Sequence, residues 1–311
     1  MINMAMIFPG QNYQNVFALL LLSKKNRIIK KTFLEASEYL NENIWKYIEK
    51  PNHFFQKNKY IQPFILTASV SIYRLWKQLG GINPIIAAGH SLGEYSALVC
   101  SNAIKFSDAI QLVKKREILM HNIIQNQSVQ MKAIIGLQKS TILKICKKNS
   151  LRNIVNIASI NPCKQIIISG HKEAVEKTSI ECKNQGAKKI ITLTLNLATH
   201  CSIMKKIKRP LLKKIKKISI KSTDYCIINS ITVTPQHSKH TIRNSLIKQL
   251  YKPVLWEKTM NFIKKKSSLI LEVGTSNILT TLNKQFPELK SIAINKLHNI
   301  QKAFNLLKKV L

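Results

Sequence analysis

Ile85-Ile86-Ala87-Ala88-Gly89-His90-Ser91-Leu92-Gly93-Glu94-Tyr95-Ser96-Ala97-Leu98-Val99 passes from a short apolar run, through a five-residue turn, into a helical pattern. A Gly-x-Ser-x-Gly turn between a strand and a helix is a nucleophile elbow. Such a turn is sharp, so the residues two before and two after the serine must lack bulk. It leaves the serine exposed beside the free backbone N–H groups of a helix start, which can stabilise an oxyanion. The bland alternative is a helix start at which Ser91 only caps or turns.

Outward from the elbow, the first 125 or so residues alternate apolar strands and helical patterns, as expected of an α/β unit with a parallel sheet. Ala5 to Phe8 reads as a first strand ended by Pro9-Gly10, and Ile65 to Leu79 as a long helix ended by Gly80-Gly81. The next stretch reads differently. Strands are expected at Lys132–Leu137, Ile154–Ala158, Gln165–Ser169 and Lys189–Leu195. Helices are expected from Ser140, as cap, to Lys148 and from Lys172 to Asn184. The order βαββαβ is the split unit of ferredoxin-like domains. Residues 127–197 are therefore expected to form a small domain inserted into a discontinuous core of residues 1–126 and 198–311. The remainder returns to α/β, with strands at Tyr225–Ser230 and Leu269–Val273, a helix around Ile242–Leu250 and a C-terminal helix.

Composition narrows the class. The longest clean apolar run, Val16 to Leu22, is far too short to span a bilayer. Met1 to Phe8 lacks a basic segment, so no signal peptide is expected. Six scattered cysteines without a CxxC argue against a zinc site or a disulfide framework and for a reducing cytoplasm. The net charge of +36 rests on 44 lysines and 6 arginines. Base-edge readers favour arginine, so AT-rich coding bias explains the lysines better than nucleic-acid binding does. A positive surface still steers acidic partners. Lys205 to Lys217 is the densest stretch. Its apolar residues at 207, 211, 215 and 218 have helical spacing, and Pro210 fits only in a first turn. An amphipathic surface helix is expected there, with a membrane-surface helix as the lesser alternative.

A serine nucleophile needs a base. His90 adjoins Ser91 and is expected to point away. His200 follows the alternating run Thr192 to Leu197, at a strand end where catalytic groups collect. Its own neighbourhood slightly favours the bland reading, a polar loop or helix-entry residue. The acid is where a hydrolase reading strains, because only Asp108 and Asp224 are available. Asp108 suits a helix N-terminus better, and Asp224 follows His200 with no motif behind it. Arg116 falls at the centre of the apolar face of a helix from Ser107 to about Ile124, while Lys114, Lys115 and Glu117 fall away from that face. A charge on a buried stripe needs a partner. Either a structural glutamate or a ligand carboxylate would serve. Gln249 shares a helical face with Ile242, Leu246 and Leu250.

Taken together, Phe8-Pro9-Gly10-Gln11, the segment Gly89 to Leu98, Arg116 after Leu112-Val113, His200, and Gln249-Leu250-Tyr251 with Pro253 and Trp256 resemble the malonyl-CoA:acyl-carrier-protein transacylase family. The motifs occur in the family's order over nearly the whole chain. The resemblance implies an α/β-hydrolase-like core with an inserted ferredoxin-like domain. It implies Ser91 as nucleophile and His200 as general base and acid. Of the substrate-binding residues, it implies that Arg116 binds the free malonyl carboxylate and that Gln11 and Leu92 lend N–H groups to an oxyanion hole. Gln249 is grouped with these, a carbonyl near it orienting the histidine in place of an aspartate. Asn161 lies in a segment similar to the family's but is left outside the site. No metal and no resident cofactor are implied: the partners are malonyl-CoA and holo acyl-carrier protein, which itself carries phosphopantetheine, and a monomer is expected. A serine esterase or thioesterase, a basic nucleic-acid binder without catalysis, and an acyltransferase for methylmalonyl are the rival readings.

Several positions depart from the family pattern. Asn12 and Glu117 stand where glycines are usual, Asn161-Pro162-Cys163-Lys164-Gln165 lacks its glycine, and Glu272 to Ser276 lacks the usual Pro-Gly. Residues 197–199 read Leu-Ala-Thr. Lost turn glycines are expected to reduce stability more than chemistry.

Overall fold

The computed structural model describes residues 3–11, 16–49, 60–194 and 197–308. Asn12, Leu195 and Asn196 lie outside them. In chain order the first half contains β1 (Met4–Phe8), α1 (Val16–Lys25), α2 (Arg27–Leu40), α3 (Lys46–Glu49), α4 (Ile61–Gln78), β2 (Ile86–Gly89), α5 (Gly93–Cys100) and α6 (Phe106–Ile124). There follow β3 (Val129–Ile135), α7 (Lys139–Asn149), β4 (Val155–Asn161), β5 (Gln165–His171), α8 (Lys172–Asn184) and β6 (Lys189–Thr192). The chain closes with α9 (Lys208–Ile215), β7 (Cys226–Ile228), α10 (Lys239–Lys248), α11 (Trp256–Ile263), β8 (Leu269–Glu272), α12 (Ile278–Leu282), β9 (Lys290–Ala293) and α13 (Leu297–Lys308).

Five strands form a parallel sheet in the order β7-β2-β1-β8-β9. The central strand β1 is buried throughout, and its side chains alternate between two cores. Met4, Met6 and Phe8 join Leu269 and Leu271 against the helices of the N-terminal half. Ala5 and Ile7 join Ile86, Ala88 and Ile270 against Trp256, Met260 and Ile263 of α11. A parallel sheet covered on both faces explains why its strands read as continuous apolar runs.

The four strands of residues 129–192 form a separate antiparallel sheet, in the order β4-β5-β3-β6. One face packs on α7 and α8 through residues such as Ile134, Val155, Ile168 and Val175. Met131, Ala133, Ala158 and Ile167 form a thin apolar layer on the other. Val254 stitches the edge strand β4 to the rest: its N–H donates to the Ala158 carbonyl at 2.9 Å, and its carbonyl accepts from Ile160 N–H at 2.8 Å.

Three local expectations need correction. α4 begins at Ile61 and not at Ile65, because Pro63 sits in the first turn, where its missing N–H costs nothing. Ser140 does not cap α7: Gln138 occupies the cap position and makes no side-chain bond there. The basic stretch divides into a 3₁₀ turn (Ser202–Ile207) and α9, with Pro210 in the first turn of α9. Its apolar residues Ile207, Leu211, Ile215 and Ile218 are buried as the spacing requires.

At the elbow the two glycines are steric necessities. A Cβ on Gly93 would lie 2.0 Å from the Phe8 carbonyl oxygen, and one on Gly89 would lie 2.0 Å from the Glu94 nitrogen. Both obstacles are backbone and cannot swing away. Gly93→Ala should therefore cost about 2–3 kcal/mol by overpacking, seen as a fall in Tm of roughly 5–10 °C by calorimetry. An unchanged Tm would mean that α5 is free to lift off β1.

Candidate active site

β2 delivers Ser91 to the edge of a cleft between the parallel sheet and the apolar layer of the antiparallel one. Ser91 sits at φ 54°, in the left-handed region. That conformation is unfavourable for a residue with a Cβ and is often retained where a side chain must be presented. Its Oγ lies 2.7 Å from His200 Nε2. His200 Nδ1 lies 2.6 Å from the Gln249 carbonyl oxygen. A carbonyl only accepts, so Nδ1 carries the proton, and Nε2 presents its lone pair to the Ser91 hydroxyl. The His200 backbone N–H also donates to the Leu250 carbonyl at 3.0 Å, and His200 too has a left-handed φ, 59°.

Electrostatics favour the neutral imidazole. His200 is 5% exposed. Burial, then the positive charge of Arg116, pull its pKa down to about 3. Neither aspartate is near: Asp108 sits in the first turn of α6, and Asp224 accepts from Asn102 Nδ2 on the surface. The carbonyl of Gln249, at the end of α10, takes the place of an acid.

Arg116 lies on the buried face of α6, 2% exposed, as its helical position requires. Its Nη1 donates to Gln62 Oε1 at 2.6 Å, and its guanidinium sits 5.8 Å from the centre of the Tyr95 ring. Among the described residues no carboxylate forms an ion pair with it, and its buried Nε has no partner. Glu117 does not fall on the exposed side of α6, contrary to the wheel. It is 1% exposed, and its carboxylate accepts the backbone N–H groups of Ile61 and Gln62 at 3.2 and 3.3 Å. It caps α4 from another helix, where the dipole favours an anion. Burial nevertheless pushes its pKa up to about 8.

Ser91, His200, Arg116, Gln11 and Leu92 all line one cavity of about 260 Å³. The backbone N–H groups of Gln11 and Leu92 meet no acceptor among the described residues. Gln62 Nε2 reaches Gln11 Oε1 at 3.5 Å. Gln249 is different. Its backbone carbonyl backs His200 while its buried side chain donates to Glu94 Oε2 at 2.8 Å, so it stands behind the cavity wall and not among the groups that line it.

Two further expectations are overturned. His90 does not point away: it lines the cavity, with Nε2 3.3 Å from Ser159 Oγ and its ring edge-on to Trp256. Asn161, set outside the site, lines it too, bonded to Ser159 Oγ and to Gln165 Oε1, each at 2.8 Å. The strand alternation of β4 carries this signal, since residues 159 and 161 share a face. Gln62 and Glu94 had no comparable signal, because each acts through a partner remote in sequence. Among the described residues no group of three or more His, Cys, Asp or Glu side chains could hold a metal ion. No helix among them is long and apolar enough to cross a membrane.

Residues 7–285 match the family model described as an acyl transferase domain. The chain is 43% identical over 304 residues to the malonyl CoA-acyl carrier protein transacylase of Buchnera aphidicola subsp. Schizaphis graminum, covering 96% of this chain and 97% of the relative. It superposes on the malonyl CoA-acyl carrier protein transacylase of Coxiella burnetii with a TM-score of 0.93, at 34% identity over 97% of this chain and 98% of that one. A TM-score of 0.93, at 35% identity and the same coverage, is found for a malonyl-transacylase solved in complex with a type II polyketide acyl-carrier protein. With the elbow serine, its histidine and a buried arginine facing one cleft, the chain belongs to the acyl transferase family, among the malonyl CoA-acyl carrier protein transacylases.

Proposed function

We propose that the protein moves a malonyl group from malonyl-CoA to the phosphopantetheine thiol of acyl-carrier protein through a malonyl ester on Ser91, in the cytoplasm and without a cofactor of its own. The observation that carries this reading is the buried Arg116, held by Gln62 and left without a carboxylate, on the cavity that also holds Ser91 and His200. A buried cation without a counter-ion is costly. A substrate with a free carboxylate supplies the missing partner, bidentately.

In the first half-reaction the Ser91 hydroxyl gives its proton to His200 Nε2 as Oγ attacks the thioester carbonyl. The N–H groups of Leu92 and Gln11 receive the developing oxyanion. Collapse breaks the carbon–sulfur bond, and the departing thiolate of coenzyme A takes the proton from Nε2. In the second, the carrier's thiol gives its proton to Nε2 and attacks the ester, and Ser91 leaves and recovers that proton. A carbonyl behind the histidine suffices because a thiolate is an easy leaving group, and it puts no anion near an anionic substrate. The apolar layer of Met131, Ala133, Ala158 and Ile167 keeps water from the ester, which favours transfer over hydrolysis. The exposed Lys205, Lys206, Lys208 and Arg209 follow closely on His200 and suit an acidic carrier.

The finer architecture supports the same reading. The β4-β5-β3-β6 order with two helices on one face is in keeping with a ferredoxin-like unit. We read residues 127–197 as this unit inserted into a hydrolase-like core of 1–126 and 198–311.

Incubation with malonyl-CoA should leave a malonyl adduct on the Ser91 peptide by mass spectrometry, stable until carrier protein is added, and none on Ser91→Ala. Rapid loss of the adduct to water would favour a thioesterase. Arg116→Ala should lower kcat/KM for malonyl-CoA by about 150- to 5,000-fold, the 3–5 kcal/mol of a broken buried pair, with little change for acetyl-CoA. Equal losses on both would remove the carboxylate clamp. Because its pKa is lowered, His200 takes up its second proton only near pH 3. Its imidazole resonances should therefore stay still between about pH 8 and 5, and an inflection near the ordinary 6.5 would contradict the burial argument.

A further inference from the structure

Glu94 is the second residue of α5, three after the nucleophile, and is completely buried. Its carboxylate gathers three side-chain donors. Gln236 Nε2 donates to Oε1 at 2.6 Å, Ser245 Oγ donates to the same oxygen, and Gln249 Nε2 donates to Oε2 at 2.8 Å. These donors come from the segment before α10, from its middle and from its C-terminal end. The bonds close a ring. Ser91 leads along α5 to Glu94, then to the Gln249 amide, the Gln249 carbonyl, His200 Nδ1, and through Nε2 back to Ser91 Oγ.

We propose that Glu94 is a positioning residue: it ties the Gln249 carbonyl to the nucleophile's own helix and so sets the imidazole on Ser91. This rests on the reading of Ser91 and His200 given above. α10 has apolar anchors of its own, Ile242 and Leu246. Glu94 is therefore not needed to fold the helix against the core. It is the only link among the described residues that bonds a side chain of α5 to the residue backing His200. A carboxylate suits the place because it only accepts, and all three neighbours donate. The amide oxygens of Gln236 and Gln249 are buried without partners. A glutamine at 94 can thus be satisfied if the Gln249 amide turns over, whereas an apolar side chain leaves three donors orphaned.

The test compares Glu94→Met and Glu94→Gln with the wild-type chain. One readout is the low-field NMR signal of the His200 Nδ1 proton bonded to the Gln249 carbonyl. The other is the rate of Ser91 malonylation by malonyl-CoA. Glu94→Met should melt cooperatively, lose the low-field signal and drop kcat by about 10- to 100-fold, the cost of a small misplacement. KM for malonyl-CoA should stay within about threefold, since Arg116 is untouched. Glu94→Gln should recover the signal and most of the rate. If Glu94→Met does not fold, Gln249→Met, which deletes only the amide that Glu94 holds, should reproduce the loss of signal and rate. Retention of the signal and kcat in the methionine variants overturns the proposal, as does loss of the signal with kcat unchanged. A wild-type chain that forms no malonyl ester would sink the transferase reading alone, because the NMR comparison still decides the role of Glu94.

Discussion

Between Gly93 and the carbonyl of Phe8 there is room for a hydrogen atom and nothing larger. This close approach presses the start of α5 onto the end of β1, and the rest of the site inherits its geometry. It brings Leu92 and Gln11 to the same cavity, each with a backbone N–H that meets no acceptor among the described residues. It forces Ser91 into a left-handed conformation, which parallel pairing of β1 with β2 up to Gly89 holds in place. It also puts Glu94 within reach of the segment that backs His200. The strain at Ser91 is of the order of 1–2 kcal/mol, small against the packing of a sheet buried on both faces.

The charges around the cleft are arranged by the same principle. Two buried glutamates lie near Arg116 in the fold, and neither pairs with it. Glu94 is occupied by three side-chain donors and Glu117 by the N-terminus of α4. Burial pushes both carboxyls up, to about 7 and about 8. The donors around each offset part of that cost locally. Among the described residues Arg116 is left without an ion pair, facing the cavity. His200 answers it by staying neutral, and the Gln249 carbonyl avoids adding a fixed anion.

The eroded glycines show how the fold absorbs substitution. At the turn between β4 and β5, Cys163 and Lys164 adopt left-handed φ values of 58° and 51°, each at a cost of roughly 1 kcal/mol. Glu117, where the resemblance leads one to expect a glycine, caps a helix terminus. Glu272, in the segment without the usual Pro-Gly, accepts from Ser276, Leu279 and Thr280. Of these replacements, only the one at 163–164 carries backbone strain.

The turn at Ser91, the buried face of Arg116 and the βαββαβ order were legible from local pattern, because a sharp turn, a helical stripe and strand alternation each leave a signature at fixed short spacing; local pattern left open what His200 and Arg116 do, and only the family resemblance pointed to roles for them. The elbow glycines belong to the same class, since bulk is excluded wherever that turn forms. Asn161 was within reach of the same alternation, since it shares a face of β4 with Ser159, but the environment of Glu117, the direction of His90 and the contacts of Glu94 were not legible. Each of these depends on a partner dozens of residues away: α4 for Glu117, β4 for His90 and α10 for Glu94. Local sequence determines which conformations and chemistries are available. Only the packed chain decides which distant donor meets which acceptor, because that choice is made by the relative placement of whole elements, to which no single segment holds the information.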